Sequence, residues 1–257
     1  MSESLIYAIR PVAMLVLFVV VSYFIFFGPF NRLLAARLIQ RQYQGSSVKL
    51  ILHEIFFTLL NLTIVITLTM YILQWLFGNS FVGVLQSPSL LSSIGQFVVY
   101  FFAFDLYFYL FHRLLHTGFF YKYIHSYHHK STRPTPLTSY AVHPLEGFVS
   151  FMFTIMLFIP MDMSINAFYA MNAYSVIHSV IIHSGHDFFP RWWYRCRTSK
   201  YYVTPTFHDL HHSDPKGVNF GIYTTIWDRV FGTISPSLEE SFDQVTGTAM
   251  HQGVSAP

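Results

Sequence analysis

Long apolar runs constrain this chain before anything else, because a membrane helix needs about 20 mostly apolar residues. Residues 11–30 form one charge-free run and 55–77 a second. A third, 94–111, is interrupted only by Asp105. The stretch 147–182 is longer and is broken near its middle by Pro160 and Asp162. Both residues disfavour a continuing helix, so a helical hairpin is expected there. Composition agrees: charged residues make up 11% of the chain, against about 25% in soluble domains. So few charges cannot cover a water-facing surface. The expected fold is an all-α transmembrane bundle of about four spans, or three plus a hairpin.

Basic residues set the direction. Arg32, Arg37, Arg41 and Lys49 follow the first run; Arg113, Lys122, Lys130 and Arg133 follow the third; Arg191, Arg195, Arg197 and Lys200 follow the hairpin. The connection 78–93 carries no charge. The positive-inside rule therefore places the three basic stretches in the cytosol. A single membrane-embedded domain is expected, with a cytosolic cap formed by 112–146 and 187–236 and a loose tail at 237–257. The first run reads as a retained anchor, being too long for an ordinary signal peptide. Cys196 is the only cysteine, which leaves no intramolecular disulfide and no thiolate zinc site. No basic block or motif points to nucleic acid.

Fourteen histidines occur, and ten fall in four clusters. His112 and His116 read H-x-x-x-H. His125, His128 and His129 read H-x-x-H-H, and His208, His211 and His212 repeat that spacing. His183 and His186 form H-x-x-H. Residues three or four apart share a helical face, so their rings can converge. Neutral imidazole ligates iron, zinc and copper, and ten rings exceed the four or so that one zinc takes. Two metals with several imidazoles each fit the count. His143 and His178 are weaker candidates for ligation or for supporting a ligand. Asp105 sits two helical turns before His112, where a carboxylate could orient a ligating ring; Asp209 and Glu146 are further candidates for that role. His53 and His251 read as ordinary hydrogen-bonded residues. The aromatics of the third run read mainly as packing. The zincin motif H-E-x-x-H and the carboxylate-rich Glu-x-x-His are both missing from the sequence.

These boxes together resemble the fatty acid hydroxylase / sterol desaturase superfamily of membrane non-haem di-iron oxidases. The likeness extends to Pro134-Thr135-Pro136-Leu137, to His143-Pro144-Leu145-Glu146-Gly147-Phe148, and to the stretch from Tyr223 to Thr233, which is similar to the sterol C-5 desaturase branch. The resemblance implies ligation of two ferrous ions by His112, His116, His125, His128, His129, His183, His208, His211 and His212, with His186 less secure. Zinc can substitute in purified protein. It further implies dioxygen-dependent desaturation or hydroxylation of a lipid C–H bond, with a sterol-like lipid ahead of a fatty acid or sphingolipid. Electrons would come from a separate donor such as cytochrome b5 or a ferredoxin with its reductase. The endoplasmic reticulum and a bacterial inner membrane are both compatible locations. A membrane metal-binding or transport protein and a membrane zinc hydrolase are the readings from other classes.

Overall fold

A computed structural model of the chain describes residues 16, 18–23, 37–39, 48–77, 89–158, 164–214 and 217–247. Among them are eight α-helices with defined bounds and a helical stretch at 18–23, connected by 3-10 turns and extended loops, with no strand beyond isolated bridges among the described residues. Most of the first apolar run, the 78–88 connection, Pro160, Asp162 and His251 lie outside the described residues.

Helix α1 spans Val48–Phe77 and α2 spans Leu90–Leu115. Both are long and apolar enough to cross a membrane. Their outward faces carry Leu52, Phe56, Leu59 and Trp75 on α1, and Leu90, Leu91, Val99 and Phe102 on α2, all exposed. Apolar surface on that scale is costly in water and neutral in lipid. Helix α1 begins seven residues before the apolar run expected at 55–77, and so carries Glu54 within it. Ser89 caps α2, accepting from the Ser92 amide.

After α2 the chain makes the short helix α3 (Gly118–Tyr123), a 3-10 turn at His125–Tyr127 and another at Pro136–Tyr140. The expected hairpin is present as α4 (Pro144–Phe158) and α5 (Ile165–Ile182). Neither is among the helices found long and apolar enough to cross a membrane. Two candidate spans are thus shown among the described residues, and four are not. Ser164 starts α5 by accepting from the Ala167 amide, while its hydroxyl donates to Ser93 of α2 at 2.9 Å. Helix α1 packs on α4, and α2 on α5.

Helices α6 (Pro205–Ser213), α7 (Ile226–Phe231) and α8 (Leu238–Gly247) form the cap. Within the stretch 237–257, expected as a loose tail, Leu238–Gly247 form helix α8, packed on α6. Leu238 and Phe242, one turn apart among acids and polar residues, are buried with Tyr194 and Phe207. A helix of ten residues is too short to hold alone, and this packing supplies the rest.

Candidate metal centre

The end of α2 carries His112 and His116, the adjoining 3-10 turn carries His125, His128 and His129, His183 caps α5, and α6 carries His208, His211 and His212. Thr204 caps α6 by accepting from Phe207, and Pro205 occupies its first turn, so the helix begins just before its histidines. These elements bring nine rings into two groups. His112, His116, His125, His129 and His211 form one; His128, His183, His208 and His212 form the other; ligand atoms in each lie within 4.8 Å of one another.

Each H-x-x-H-H box serves both groups. In the first, His125 and His129 enter one group and the intervening His128 enters the other. In the second, His208 and His212 join His128, while His211 crosses to His125 and His129. The rings of His129 and His212 stack at 4.8 Å where the groups meet. Two coupled sites result, not one diffuse cluster.

The far nitrogens show which way these rings face. Nδ1 of His112 donates to the Phe220 carbonyl (2.9 Å), that of His211 to Val218 (2.7 Å) and that of His183 to Ser179 (2.7 Å). Nδ1 of His125 donates to a Glu146 carboxylate oxygen at 3.0 Å. A neutral imidazole has one N–H, so each of these rings points an Nε2 lone pair inward. Those Nε2 atoms approach others closely: His112 to His125 at 3.0 Å, His129 to His125 and His211 at 3.1 and 3.0 Å, His116 to His211 at 3.2 Å, and His183 to His208 at 2.9 Å. Facing lone pairs repel unless a cation lies between them. Neighbouring nitrogens on one ion at metal–nitrogen distances of about 2.1 Å stand roughly 3.0–3.4 Å apart, and the donor set fits that spacing.

Charging the rings instead is disfavoured. Burial, reinforced by the adjacent imidazoles, holds His116 at a pKa of about 2 and His129 at about 3; burial holds His125 at about 3 and His183 at about 4. The same causes keep His128, His208, His211 and His212 well below the usual histidine range. Neutral rings are the ones that ligate metals.

Other sequence candidates are placed elsewhere. His186 is buried in its own turn, its Nδ1 on the Ser184 carbonyl, and joins neither group. His178 spends both nitrogens, on the Tyr202 hydroxyl (2.9 Å) and the Ile222 carbonyl (2.6 Å). His143 accepts from the Leu145 amide at the start of α4. Asp105 does not back a histidine: its carboxylate accepts from the amides of Tyr223 and Thr224 at 2.9 and 3.0 Å and from the Thr224 hydroxyl. Asp209 is buried on α6 outside both groups. Glu146 alone among the carboxylates proposed for that role meets a clustered ring.

Several supporting residues went unrecognised in the sequence. The buried stripe Glu54, Thr58 and Asn61 on α1 holds the segment after the first box: Glu54 accepts from Ser131, Thr135 and Thr138, Thr58 donates to the Leu137 carbonyl, and Asn61 to that of Tyr140. Asp228 accepts from the Phe220 and Gly221 amides (2.7 and 2.8 Å), and Asp187 from Thr206 at the start of α6. The available signal was spacing: polar residues four and three apart in an apolar helix share one face.

A cavity of about 220 Å³ runs from His112, His125, His128, His183 and His208 between α1, α2, α4 and α5. Its walls are mainly apolar, including Leu62, Val65, Phe104, Phe108, Phe151 and Val176.

Helical, apolar on the outside and lined at one end by two sets of converging imidazoles, the molecule is a histidine-rich membrane protein whose ring clusters fit a metal centre. A family model for fatty acid hydroxylases matches residues 97–233, more than half of the chain. The chain belongs to the fatty acid hydroxylase family. It is similar to a Delta(7)-sterol 5(6)-desaturase of Gibberella zeae, 35% identical over 58% of this chain and 40% of that protein. A putative methylsterol monooxygenase of Dictyostelium discoideum is 33% identical over 50% of this chain and 46% of its own length. A very-long-chain aldehyde decarbonylase of Oryza sativa subsp. japonica is 28% identical, over 53% and 22%. The chain thus spans less than half the length of these curated relatives. No solved structure matches it.

Proposed function

We propose that this chain is a membrane di-iron oxidase that uses dioxygen and external electrons to desaturate or hydroxylate a lipid C–H bond. His112, His116, His125, His129 and His211 would hold one iron, and His128, His183, His208 and His212 the other. The convergence of inward-facing Nε2 atoms into two abutting groups carries the reading. Bound there, paired ferrous ions would supply the oxygen activation that no protein side chain provides. The chain's own part is positional. Phe220, Val218, Ser179 and Glu146 fix the ring tautomers, and the apolar cavity admits a lipid while keeping water from the reacting end.

A sterol-like substrate is favoured by the names of two of the relatives and by the sterol C-5 desaturase-like stretches of sequence. Hydroxylation of a fatty acid or sphingolipid is the alternative within the same chemistry. The donor of electrons would be a separate redox protein such as cytochrome b5 or a ferredoxin, reaching the groups from the cytosolic side of an endoplasmic reticulum or bacterial inner membrane. A metal transporter fits less well, since such proteins hold ions near the bilayer midplane. Here His112 and His116 lie in the last turn and cap of α2, and His183 caps α5. Lipid mass spectrometry of cells expressing wild type or His128→Ala tests the proposal. A lipid consumed or formed only with wild type is expected; identical profiles would reject an oxidase.

A further inference from the structure

The cavity is unevenly finished. Toward its far end, polar groups satisfy one another: Tyr100 with Thr154 at 2.6 Å, Ser175 with Tyr223 at 2.5 Å, and the Asn172 amide with the Phe168 carbonyl at 2.7 Å. At the histidine end they do not. Among the described residues that line the cavity, the buried side-chain atoms without a partner are Asn61 Oδ1, Glu146 Oε2 and Nδ1 of His128 and His208. A buried polar atom left unpaired is costly, so an unpaired acceptor on a cavity wall implies a donor that arrives with the occupant.

Asn61 is 4% exposed. Its orientation is fixed by its own bond, because Nδ2 donates to the Tyr140 carbonyl, which can only accept, leaving Oδ1 as the free end. That oxygen rests against Gly147, where any side chain would collide with it. The next residue along, Glu146, holds the His125 ring. We infer that Asn61 Oδ1 accepts a hydrogen bond from the hydroxyl of a lipid that enters polar end first, with its apolar body trailing toward Tyr100 and Thr154. Resting on the oxidase proposal, this deepens it: the substrate is a hydroxylated lipid, oxidised close to its hydroxyl rather than at a remote methylene.

Binding without turnover tests the inference. Purified protein in detergent, with no electron donor, is titrated with cholesterol and its deoxy counterpart cholest-5-ene, and with 1-hexadecanol and hexadecane. In one pair at least, the alcohol is expected to bind wild type about 5- to 30-fold tighter, the range of one hydrogen bond; the pair that does so separates a sterol from a linear alcohol. Asn61→Leu should bring that ratio close to one, whereas Thr58→Val, on the same stripe but off the cavity, should preserve it. Asn61→Ala replaces the leucine variant if that does not fold. No preference in wild type, no binding of either pair, or a ratio unchanged in the Asn61 variants each overturns the inference. The ratio needs no catalysis, so it survives failure of the oxidase proposal. Conversely, lipid profiles altered by wild type alone, together with an Asn61-independent ratio, sink only the inference.

Discussion

His112 donates its Nδ1 hydrogen to the carbonyl of Phe220, 2.9 Å away and 108 residues later in the chain. Val218 and Ile222, flanking Phe220 at a spacing of two, offer their carbonyls to His211 and His178 in the same way. The three carbonyls meet rings on α6, α2 and α5, so a single strap orients three rings from three helices. The strap is itself fixed by carboxylates, Asp228 under Phe220 and Gly221 and Asp105 under Tyr223 and Thr224.

Gly221→Ala should loosen that strap. A Cβ there would collide with the Thr224 carbonyl and lie 2.8 Å from Asp228 Oδ2, with no flexible neighbour to yield at the backbone. A destabilisation of about 1–3 kcal/mol is expected from such overpacking, with metal content falling alongside. Thermal melting and elemental analysis of the purified variant measure both; full metal loading would show that the strap does not set the His112 ring.

Glu146→Gln keeps the size of the side chain and turns the carboxyl that His125 Nδ1 faces at 3.0 Å into an amide. Changes to partners of this kind cost about 10- to 100-fold in metal affinity. Chelator competition should show that drop, with Glu146→Ala at least as severe. An unchanged affinity would mean that His125 needs no anchor.

His183 and His178 lie five residues apart at the end of α5, the first inside a histidine group and the second outside both. His183→Ala removes an Nε2 that approaches His208 at 2.9 Å and should empty the group it shares with His128 and His212. His178→Ala leaves the Tyr202 hydroxyl and the Ile222 carbonyl without their partner, at a cost of roughly 1–3 kcal/mol, while metal stoichiometry persists. Equal metal loss in the two variants would contradict the grouping.

The boxes could be read from sequence because i, i+3 and i+4 spacing makes ring convergence a local property. How each box divides between two groups could not, since that depends on where α2, α5 and α6 end relative to one another. Asp105 shows the limit of face-sharing arguments. Seven residues return it to the face of His112 but leave it about 10 Å away along the axis, level with Thr224 instead. His186 has a suitable spacing from His183, yet α5 stops at Ile182 and the turn after it aims the ring elsewhere. The Glu54 stripe escaped notice for a different reason. Its partners at 131–140 form no regular pattern of their own, and only contact with α1 gives the stripe meaning.

Acidification should destabilise the metal-stripped protein, and the sign follows from which state takes up protons. Eight clustered histidines outside the α1 and α2 spans have folded pKa values lowered by burial, to between about 2 and 4 where a value is defined. The unfolded chain's histidines titrate near 6.5. Above that pH neither state binds the proton and these groups contribute no pH dependence. Below it the unfolded state binds protons that the folded state refuses, so stability falls continuously as the pH drops through the window beneath 6.5. Asp187, Asp228 and Glu146 act oppositely, since burial raises all three, Asp228 to about 6 and Glu146 to about 8; three carboxyls oppose eight rings. The melting temperature in detergent should therefore decline steadily from pH 6.5 to 5 without metal. With metal bound, the decline should begin at lower pH, because an ion on Nε2 must be displaced before a proton can occupy it. A stripped protein as stable at pH 5 as at pH 7 would show that these rings do not remain neutral, which removes the lone-pair argument for metal.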